Sequence, residues 1–290
     1  MKLYSKILFV AAAMSAVALV SCNKDNKPSN DEPEFKAPEY VETAKKITVN
    51  NVVPTATKQV KEIEFTEAGY AIITYVKTKA ETEEEVEVLP YTYENGEYKV
   101  PGFGTIKVEG NTVTITTPTQ TINATATVSN TEAPQAGTTA FNLYRAWTLY
   151  DLKVSVSGGD LPAGVGKLFT YPVTMANIDK WLKEQKVSVP EDVVITNYDI
   201  VDVSFTNEGT ILINFTKAAP FKGDFKLSGK SFHYDLNGVG NYVFNGSADG
   251  TVDFYSENDV DYCSWVVNGK IVNGGKTYKS EITLTLKEKK

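Results

Sequence analysis

The chain has 290 residues, a formal net charge of −7 and a single arginine, Arg145. A surface that binds nucleic acid needs clustered Lys and Arg side chains to neutralise phosphates, so this composition argues against a nucleic-acid partner. With one histidine, His233, the sequence also excludes a histidine-based metal cluster.

The first 21 residues have the pattern of a signal peptide. Lys2 and Lys6 supply positive charge, and residues 7–20 are almost all apolar. A membrane-spanning helix needs about 20 such residues, so this shorter run indicates a cleaved leader. The run ends in Leu19-Val20-Ser21-Cys22.

This ending resembles a bacterial lipobox, in which Leu lies three residues before the Cys and a small residue lies directly before it. The resemblance implies that the Cys22 thiol carries a lipid of the palmitate type and that cleavage leaves Cys22 as the first mature residue. Two or three acyl chains hold a protein on a bilayer, whereas one chain is marginal. The alternative is an ordinary signal peptide followed by a chance cysteine.

Residues 22–43 are polar and rich in Asn, Ser and Pro. Such a segment cannot bury a core, so we expect a flexible tether between the membrane and the folded part. Lys24-Asp25 also loosely resembles the acidic export signal of Bacteroidetes lipoproteins. We therefore expect a cell-envelope protein that is lipid-anchored in the outer membrane; the export signal favours the cell surface, and the periplasmic face is the alternative.

From residue 44 onward, apolar and polar residues alternate, which indicates β-strands. The composition predicts a first β module at 44–128, a linker at 129–142 and a second module at 143–290. Tight turns are predicted at Asn95-Gly96, Glu109-Gly110-Asn111, Asn237-Gly238, Asn245-Gly246, Asp249-Gly250 and Asn268-Gly269. The fold class is therefore all-β, with two tandem antiparallel modules that are either barrels or two-sheet sandwiches.

The two modules share a repeated segment. Residues 60–75 align with residues 200–215 at a constant offset of 140. The identical pairs include Phe65 with Phe205, Thr66 with Thr206 and Gly69 with Gly209. The alignment predicts one hairpin common to both modules, with its turn at Thr-x-x-Gly. Looser similarity relates 91–100 to 232–244, and 104–115 to 250–265.

The second module adds an opening strand at 145–158 and one helix at 175–185. In the helix, Met175, Ile178, Trp181 and Leu182 form an apolar stripe that is expected to cap one end of the β structure. With Trp147 in the opening strand and the hairpin DVSFTNEGTILINF, this half resembles the lipocalin-like lipoproteins of Bacteroidetes. The resemblance implies a small antiparallel barrel or half-barrel with one short helix, whose mouth can hold a small apolar or amphipathic ligand.

Residue types that carry out catalysis are sparse. His233 alternates with Phe232 and Tyr234, which is typical of a strand-surface imidazole, and Cys263 lies in a run typical of a buried thiol. The acidic run at 81–90 lacks the glycine turn and the spacing of a calcium loop. We therefore expect no catalytic residue, no metal and no cofactor.

Aromatic residues are abundant, with sixteen Tyr, thirteen Phe and three Trp. Sugar rings stack on flat aromatic faces, so aromatic side chains on strands are candidate ligand-binding residues, with core packing as the alternative for each. The candidates are Tyr91, Tyr93, Tyr98, Trp147, Tyr255, Tyr262 and Trp265.

The leading hypothesis is a non-catalytic, lipid-anchored binding protein of the cell envelope. Its partner would be a glycan, a small amphiphile or another envelope protein. A second hypothesis is a structural subunit similar to the fimbrillin-like lipoproteins, which are also two-domain, all-β proteins. A third is a small-ligand carrier of the lipocalin type.

Overall fold

The computed structural model describes residues 45–50, 58–77, 80–129, 131–157, 175–184, 194–239, 247–273 and 276–289. The predicted signal peptide, Cys22 and the tether lie outside the described residues. Within the described part the chain is almost entirely β-structure, arranged as two barrel-like sheets in tandem. The prediction of an all-β fold with two antiparallel modules is confirmed.

The first sheet contains nine strands that pair in the order β4-β3-β2-β1-β9-β8-β7-β6-β5. Every neighbour follows in sequence except β1 and β9, whose pairing curls the meander round on itself. Its two ends, β4 and β5, are consecutive in the chain and are separated only by Tyr91. The strands are β1 Lys45–Asn50, β2 Lys58–Phe65, β3 Tyr70–Lys77, β4 Ala80–Pro90, β5 Thr92–Glu94, β6 Glu97–Val100, β7 Gly104–Glu109, β8 Thr112–Thr116 and β9 Thr121–Val128.

The second sheet is a closed barrel of eight strands in sequence order, in which β10 also pairs with β17. Closure decides between the barrel and the sandwich that the alternation left open. The strands are β10 Ala146–Ser157, β11 Ile200–Phe205, β12 Thr210–Phe215, β13 Phe221–Ser228, β14 Ser231–Val239, β15 Ser247–Glu257, β16 Val260–Asn273 and β17 Lys276–Glu288.

Two α-helices belong to the described chain. Helix α1, Thr139–Leu143, lies directly before the barrel, is capped by the Thr138 hydroxyl and buries Leu143 in the second core. Helix α2, Met175–Glu184, lies where the apolar stripe predicts a helix. The side chains of that stripe lie outside the described residues. None of the helices in the described ranges is both long and apolar enough to cross a membrane.

Each sheet encloses its own hydrophobic core, and the two cores differ in composition. Aliphatic side chains dominate the first core, among them Ile47, Ile63, Ile73, Ile106, Val113 and Ile115. Aromatic rings dominate the second core, among them Trp147, Phe205, Phe225, Phe232, Tyr234 and Trp265. Alternation along the strands places these side chains inside and their neighbours outside.

The repeated hairpin has the same geometry in both sheets. In β2–β3, the amide of Thr66 donates to the Tyr70 carbonyl at 2.8 Å and the amide of Gly69 donates to the Thr66 carbonyl at 3.1 Å. In β11–β12, the amides of Thr206 and Gly209 donate to the corresponding carbonyls, both at 3.0 Å. The threonine hydroxyl of each turn accepts the amide four residues later, at 3.1 Å in both cases. Gly69 and Gly209 have positive φ angles of 79° and 78°, which explains why glycine closes both turns.

The looser similarity between 91–100 and 232–244 is wrong in register. The amide of Tyr91 donates to the Gly69 carbonyl, and the amide of Phe225 makes the equivalent bond to Gly209. Hairpin β5–β6 therefore corresponds to hairpin β13–β14, whose turn is Gly229-Lys230. The similarity between 104–115 and 250–265 does relate equivalent hairpins, because β7–β8 and β15–β16 occupy the same place in the strand order.

Two of the five predicted tight turns that the structure describes are correct. Asn95-Gly96 joins β5 to β6, and the turn around Gly110 joins β7 to β8. The other three pairs lie inside strands: Asn237-Gly238 in β14, Asp249-Gly250 in β15 and Asn268-Gly269 in β16. At Gly250 the reason is packing, because an added Cβ would lie 2.2 Å from the Val266 carbonyl oxygen and 2.6 Å from the Phe232 ring. Asn245-Gly246 lies outside the described residues.

Candidate functional site

Three tyrosines form a cluster on the outer wall of the second barrel, which we call the tyrosine patch: Tyr150, Tyr255 and Tyr262. Tyr255 and Tyr262 are direct cross-strand partners on β15 and β16. Their rings are stacked, with centroids 5.1 Å apart and planes 11° from parallel. The Tyr150 ring meets Tyr262 edge-on at 5.3 Å. Tyr150 is 52% exposed and Tyr255 43% exposed, so the patch presents aromatic surface to solvent.

The strand register explains why the patch lies outside. The preceding cross-strand pair, Phe254 and Cys263, packs with the core, so Tyr255 and Tyr262 point outward by alternation. Tyr150 sits at a register shift between Leu149 and Asp151, where β10 carries one unmatched residue opposite β17. Leu149 packs against the core, so alternation places Tyr150 on the outer face, where its ring contacts Tyr262.

Two carboxylates, those of Glu257 and Asp151, act electrostatically on the patch. The pKa of Tyr255 is raised, first by partial burial of the phenol and then by neighbouring groups that include Tyr262, Glu257 and Asp151. The two carboxylates therefore lie close enough to act on the phenol. A flat aromatic surface edged by carboxylate acceptors can stack on a ring and accept hydrogen bonds from hydroxyl groups at the same time.

The candidate tyrosines of the first module lie together around Phe65. Tyr98 is buried and stacks on Phe65, with ring centroids 3.7 Å apart. Tyr91 is half-buried and its hydroxyl donates to the Thr66 carbonyl at 3.0 Å. Only Tyr93 is exposed, at 43%, with its ring tilted against Tyr98. The first module therefore has one exposed candidate ring, Tyr93. The second has two exposed rings, Tyr150 and Tyr255, which both contact the buried Tyr262.

Trp147 and Trp265 are both core residues. The Trp147 ring is inaccessible to solvent, its Nε1 donates to the Leu143 carbonyl at 3.0 Å, and the Arg145 guanidinium lies over its ring. The Trp265 ring packs against Phe205 and other aromatic rings of the core. Neither tryptophan presents a face to solvent, so as binding candidates they could act only inside the barrel.

The remaining side chains of chemically reactive types, Cys263 and His233, lie in surroundings that suit a structural role. Cys263 is fully buried, and burial raises the pKa of its thiol well above the usual range. His233 is exposed on β14, where its Nδ1 lies 2.7 Å from the Asp249 carboxylate. Among the described residues, no group of three or more His, Cys, Asp or Glu side chains could hold a metal ion.

A second polar site lies where the two sheets meet, and we call it the junction. The outer faces of hairpins β2–β3 and β11–β12 contribute to it, together with β13. Its centre is Glu64, which is fully buried and accepts from the Thr206 hydroxyl at 2.5 Å and the Thr210 hydroxyl at 2.6 Å. Burial raises the pKa of Glu64, an effect that Lys222 and these two hydroxyls oppose.

Apolar and charged groups complete the junction. Ile72 and Leu212, which are equivalent at the offset of 140, are fully buried but belong to neither core. Lys222 of the second barrel binds the Glu62 carboxylate and lies 3.3 Å from the Thr74 hydroxyl of the first. Burial opposes ionisation of Glu62, but the nearby Lys222 and Lys46 outweigh it and lower the pKa.

Sequence reasoning missed both Tyr150 and the junction. Alternation with Trp147 and Leu149 on the inside directs Tyr150 outward, but only the pairing of β10 with β17 brings it beside Tyr262. Glu64 carried a weak signal, because it is an acid between Ile63 and Phe65 in the repeated segment, where the second module has Ser204. Only the contact between the modules shows that this outward-facing position is buried.

Comparisons of the chain with protein-family models, with curated proteins and with solved structures found no match.

Proposed function

We propose that this protein is a non-catalytic, lipid-anchored binding protein of the cell envelope that binds glycans through the tyrosine patch. The observation that carries the proposal is the exposed Tyr255 ring, which stacks on the buried Tyr262 ring, with the exposed Tyr150 ring at the edge of Tyr262. An isolated soluble domain gains nothing by exposing two contiguous aromatic rings, and such patches mark binding surfaces.

The chemistry of the patch favours a carbohydrate over a purely apolar ligand. A pyranose has a flat face of C–H groups that can lie on an aromatic ring, and hydroxyl groups around its rim. The nearby carboxylates of Asp151 and Glu257 are acceptors that suit those hydroxyls. An amphiphile with a long apolar chain would need an enclosed groove to bury it.

The filled interior of the second barrel supports a ligand-binding site on its outer surface. In the described part of the second barrel, Trp265 lies 5.3 Å from both Phe205 and Phe232 and 5.8 Å from Tyr234, measured between ring centroids. Rings at these distances are in contact, so this space is filled by side chains. This packing supports the surface hypothesis over a lipocalin-type carrier.

The anchor is proposed from the segment ending at Cys22, which lies outside the described residues. Metabolic labelling with an alkynyl fatty acid should mark the wild-type protein in the membrane fraction. Cys22→Ala should lose both the label and the membrane association. A labelled Cys22→Ala variant would overturn the proposed attachment site.

Glycan binding is tested by screening the mature chain against oligosaccharides and then titrating the best ligand calorimetrically. We expect Tyr255→Ala to weaken binding at least tenfold, which corresponds to about 1.4 kcal/mol. Tyr255→Phe should retain most of the affinity because it keeps the stacked ring.

Tyr93→Ala is the matched control, because Tyr93 has the same exposure as Tyr255 but lies in the other module. It should leave the affinity unchanged. Equal affinity of wild type and Tyr255→Ala, or the absence of binding to any glycan at millimolar concentration, would overturn the proposal.

A further inference from the structure

The two repeated turns touch each other across the junction. The amide of Asn207, in the turn of the second barrel, donates to Oε1 of Glu67, in the turn of the first, at 3.3 Å. Oε2 of Glu67 is inaccessible to solvent and has no hydrogen-bond partner among the described residues. A carboxyl group with a dry, unpartnered oxygen therefore lies between the barrels.

The electrostatic surroundings of Glu67 oppose its ionisation. Burial has the largest effect and raises its pKa to about 8. Glu64 on its own hairpin and Glu208 in the opposing turn raise it further, whereas only the backbone N–H groups of Glu67 and Asn207 lower it. Lys46 and Lys222 form ion pairs with Glu62 instead, and Lys289 binds Asp202 and the Tyr70 hydroxyl.

The protonation of Glu67 therefore affects how strongly the two barrels pack. A neutral carboxyl can be buried at modest cost, but an ionised one facing two other carboxylates is strongly unfavourable. Each barrel has its own closed or curled sheet and its own core, so the contact can be lost without unfolding either of them.

We propose that the contact between the turns is a proton-dependent latch, which holds the two barrels together while Glu67 is protonated and releases them when it gives up its proton to solvent. Release would expose Ile72 and Leu212 and would admit water to Glu64. It would also free the second barrel, with the tyrosine patch, to change its orientation relative to the first. This inference does not depend on the ligand of the patch.

The direction of the pH dependence follows from linkage. The pKa of Glu67 in the packed state is raised above its ordinary value of 4.5, so the stabilisation is complete at low pH and is lost as pH rises toward 8. Between those two values the ratio of packed to separated barrels falls about tenfold per pH unit, and above 8 it levels off. From pH 6 to pH 9 the expected change is roughly a hundredfold.

The experiment measures the distance between the barrels in the full mature chain, made soluble by Cys22→Ser. Fluorescent dyes are attached at Thr112→Cys in the first barrel and Lys230→Cys in the second, both exposed positions, while the buried Cys263 stays unlabelled. Wild type should show one narrow distance distribution at pH 6 and a broader, longer one at pH 9. Near-UV circular dichroism should remain unchanged, because both cores stay folded.

Variants separate the latch from general alkaline effects. Glu67→Gln mimics the protonated carboxyl and should keep the narrow distribution at both pH values. Glu208→Gln removes a repelling charge and should reduce the change. Glu109→Gln, an exposed control on β7, should behave as wild type. The latch is wrong if the wild-type distance is constant, if Glu67→Gln still responds to pH, or if near-UV dichroism is lost together with the distance.

Discussion

The two sheets share the same order of strand pairing but differ in the length of their strands. Both begin with the same hairpin turn, and both bring their first strand against their last, β1 on β9 and β10 on β17. In the second sheet, β13 and β14 have eight and nine residues and complete the wall. In the first, the equivalent stretch is divided at Tyr91 into β4, which pairs with β3, and the three-residue β5, which pairs with the four-residue β6.

The hydrophobic cores of the two sheets also differ in composition. An eight-stranded closed barrel encloses a space that large side chains must fill, and the second barrel fills it with aromatic rings. The first sheet is filled by Ile and Val, with Ala124 and Ala126 on β9. The comparison teaches that one hairpin pattern can start two barrel-like sheets whose walls and cores differ, one with a strand divided at Tyr91 and an aliphatic core, the other with continuous strands and an aromatic core.

The largest expected effect is in the aromatic core. Trp147→Ala removes a fully buried indole and its hydrogen bond to Leu143, so it should lower the free energy of unfolding by about 3–5 kcal/mol. Urea unfolding followed by tryptophan fluorescence reports the second module, because all three tryptophans follow residue 143. Trp147→Phe should lose less. A loss below about 1 kcal/mol for Trp147→Ala would show that the ring does not support closure.

Next come the equivalent junction residues Glu64 and Ser204. Glu64→Ala leaves the hydroxyls of Thr206 and Thr210 buried without their acceptor and should cost about 2–3 kcal/mol. Ser204→Ala removes a buried hydroxyl that has no partner among the described residues and should be neutral or stabilising. Denaturant midpoints of the two variants test the contrast, and equal losses would contradict it.

Glycines provide a smaller contrast. Gly250→Ala in β15 should cost about 1–3 kcal/mol, because its Cβ would collide with the Val266 backbone and the Phe232 ring. At Gly96 in the first sheet, an added Cβ would meet no neighbour within 4 Å, and only the positive φ of 83° disfavours alanine. Gly96→Ala should therefore lower the free energy of unfolding by about 1 kcal/mol. Thermal unfolding of both variants ranks them, and the reverse order would show that backbone strain outweighs packing here.

The smallest expected effect is an increase in stability. The β15–β16 turn places Asn258 and Asp259 at positive φ angles of 52° and 59°, whereas the β5–β6 turn uses Asn95-Gly96. Asp259→Gly gives the second barrel the same residue types and should stabilise it by up to about 1 kcal/mol, because glycine adopts this conformation without strain. The same urea assay detects it as a higher midpoint. A lower midpoint would mean that the aspartate side chain stabilises the turn.

Local patterns in the amino-acid sequence determined the all-β class, the two modules, the Thr-x-x-Gly hairpin, helix α2 and the Asn95-Gly96 turn, because alternation, turn chemistry and apolar periodicity act over a few neighbouring residues. The same patterns placed turns at Asp249-Gly250 and Asn268-Gly269, where strands run through. In the sequence, a glycine that forms a turn cannot be distinguished from one, such as Gly250, that lies inside a strand to make room for an aromatic ring. Only the position of the ring in the folded protein separates the two cases.

Only the tertiary structure decided which outward positions become sites. Tyr255 was a candidate from sequence, but Tyr150 joins it through the pairing of β10 with β17, a strand more than a hundred residues away in the chain. Glu64 meets Thr206 across 142 positions, and Glu67 meets Asn207 across 140. Burial of these groups results from the packing of one barrel on the other, so no window of sequence within a single module contains it.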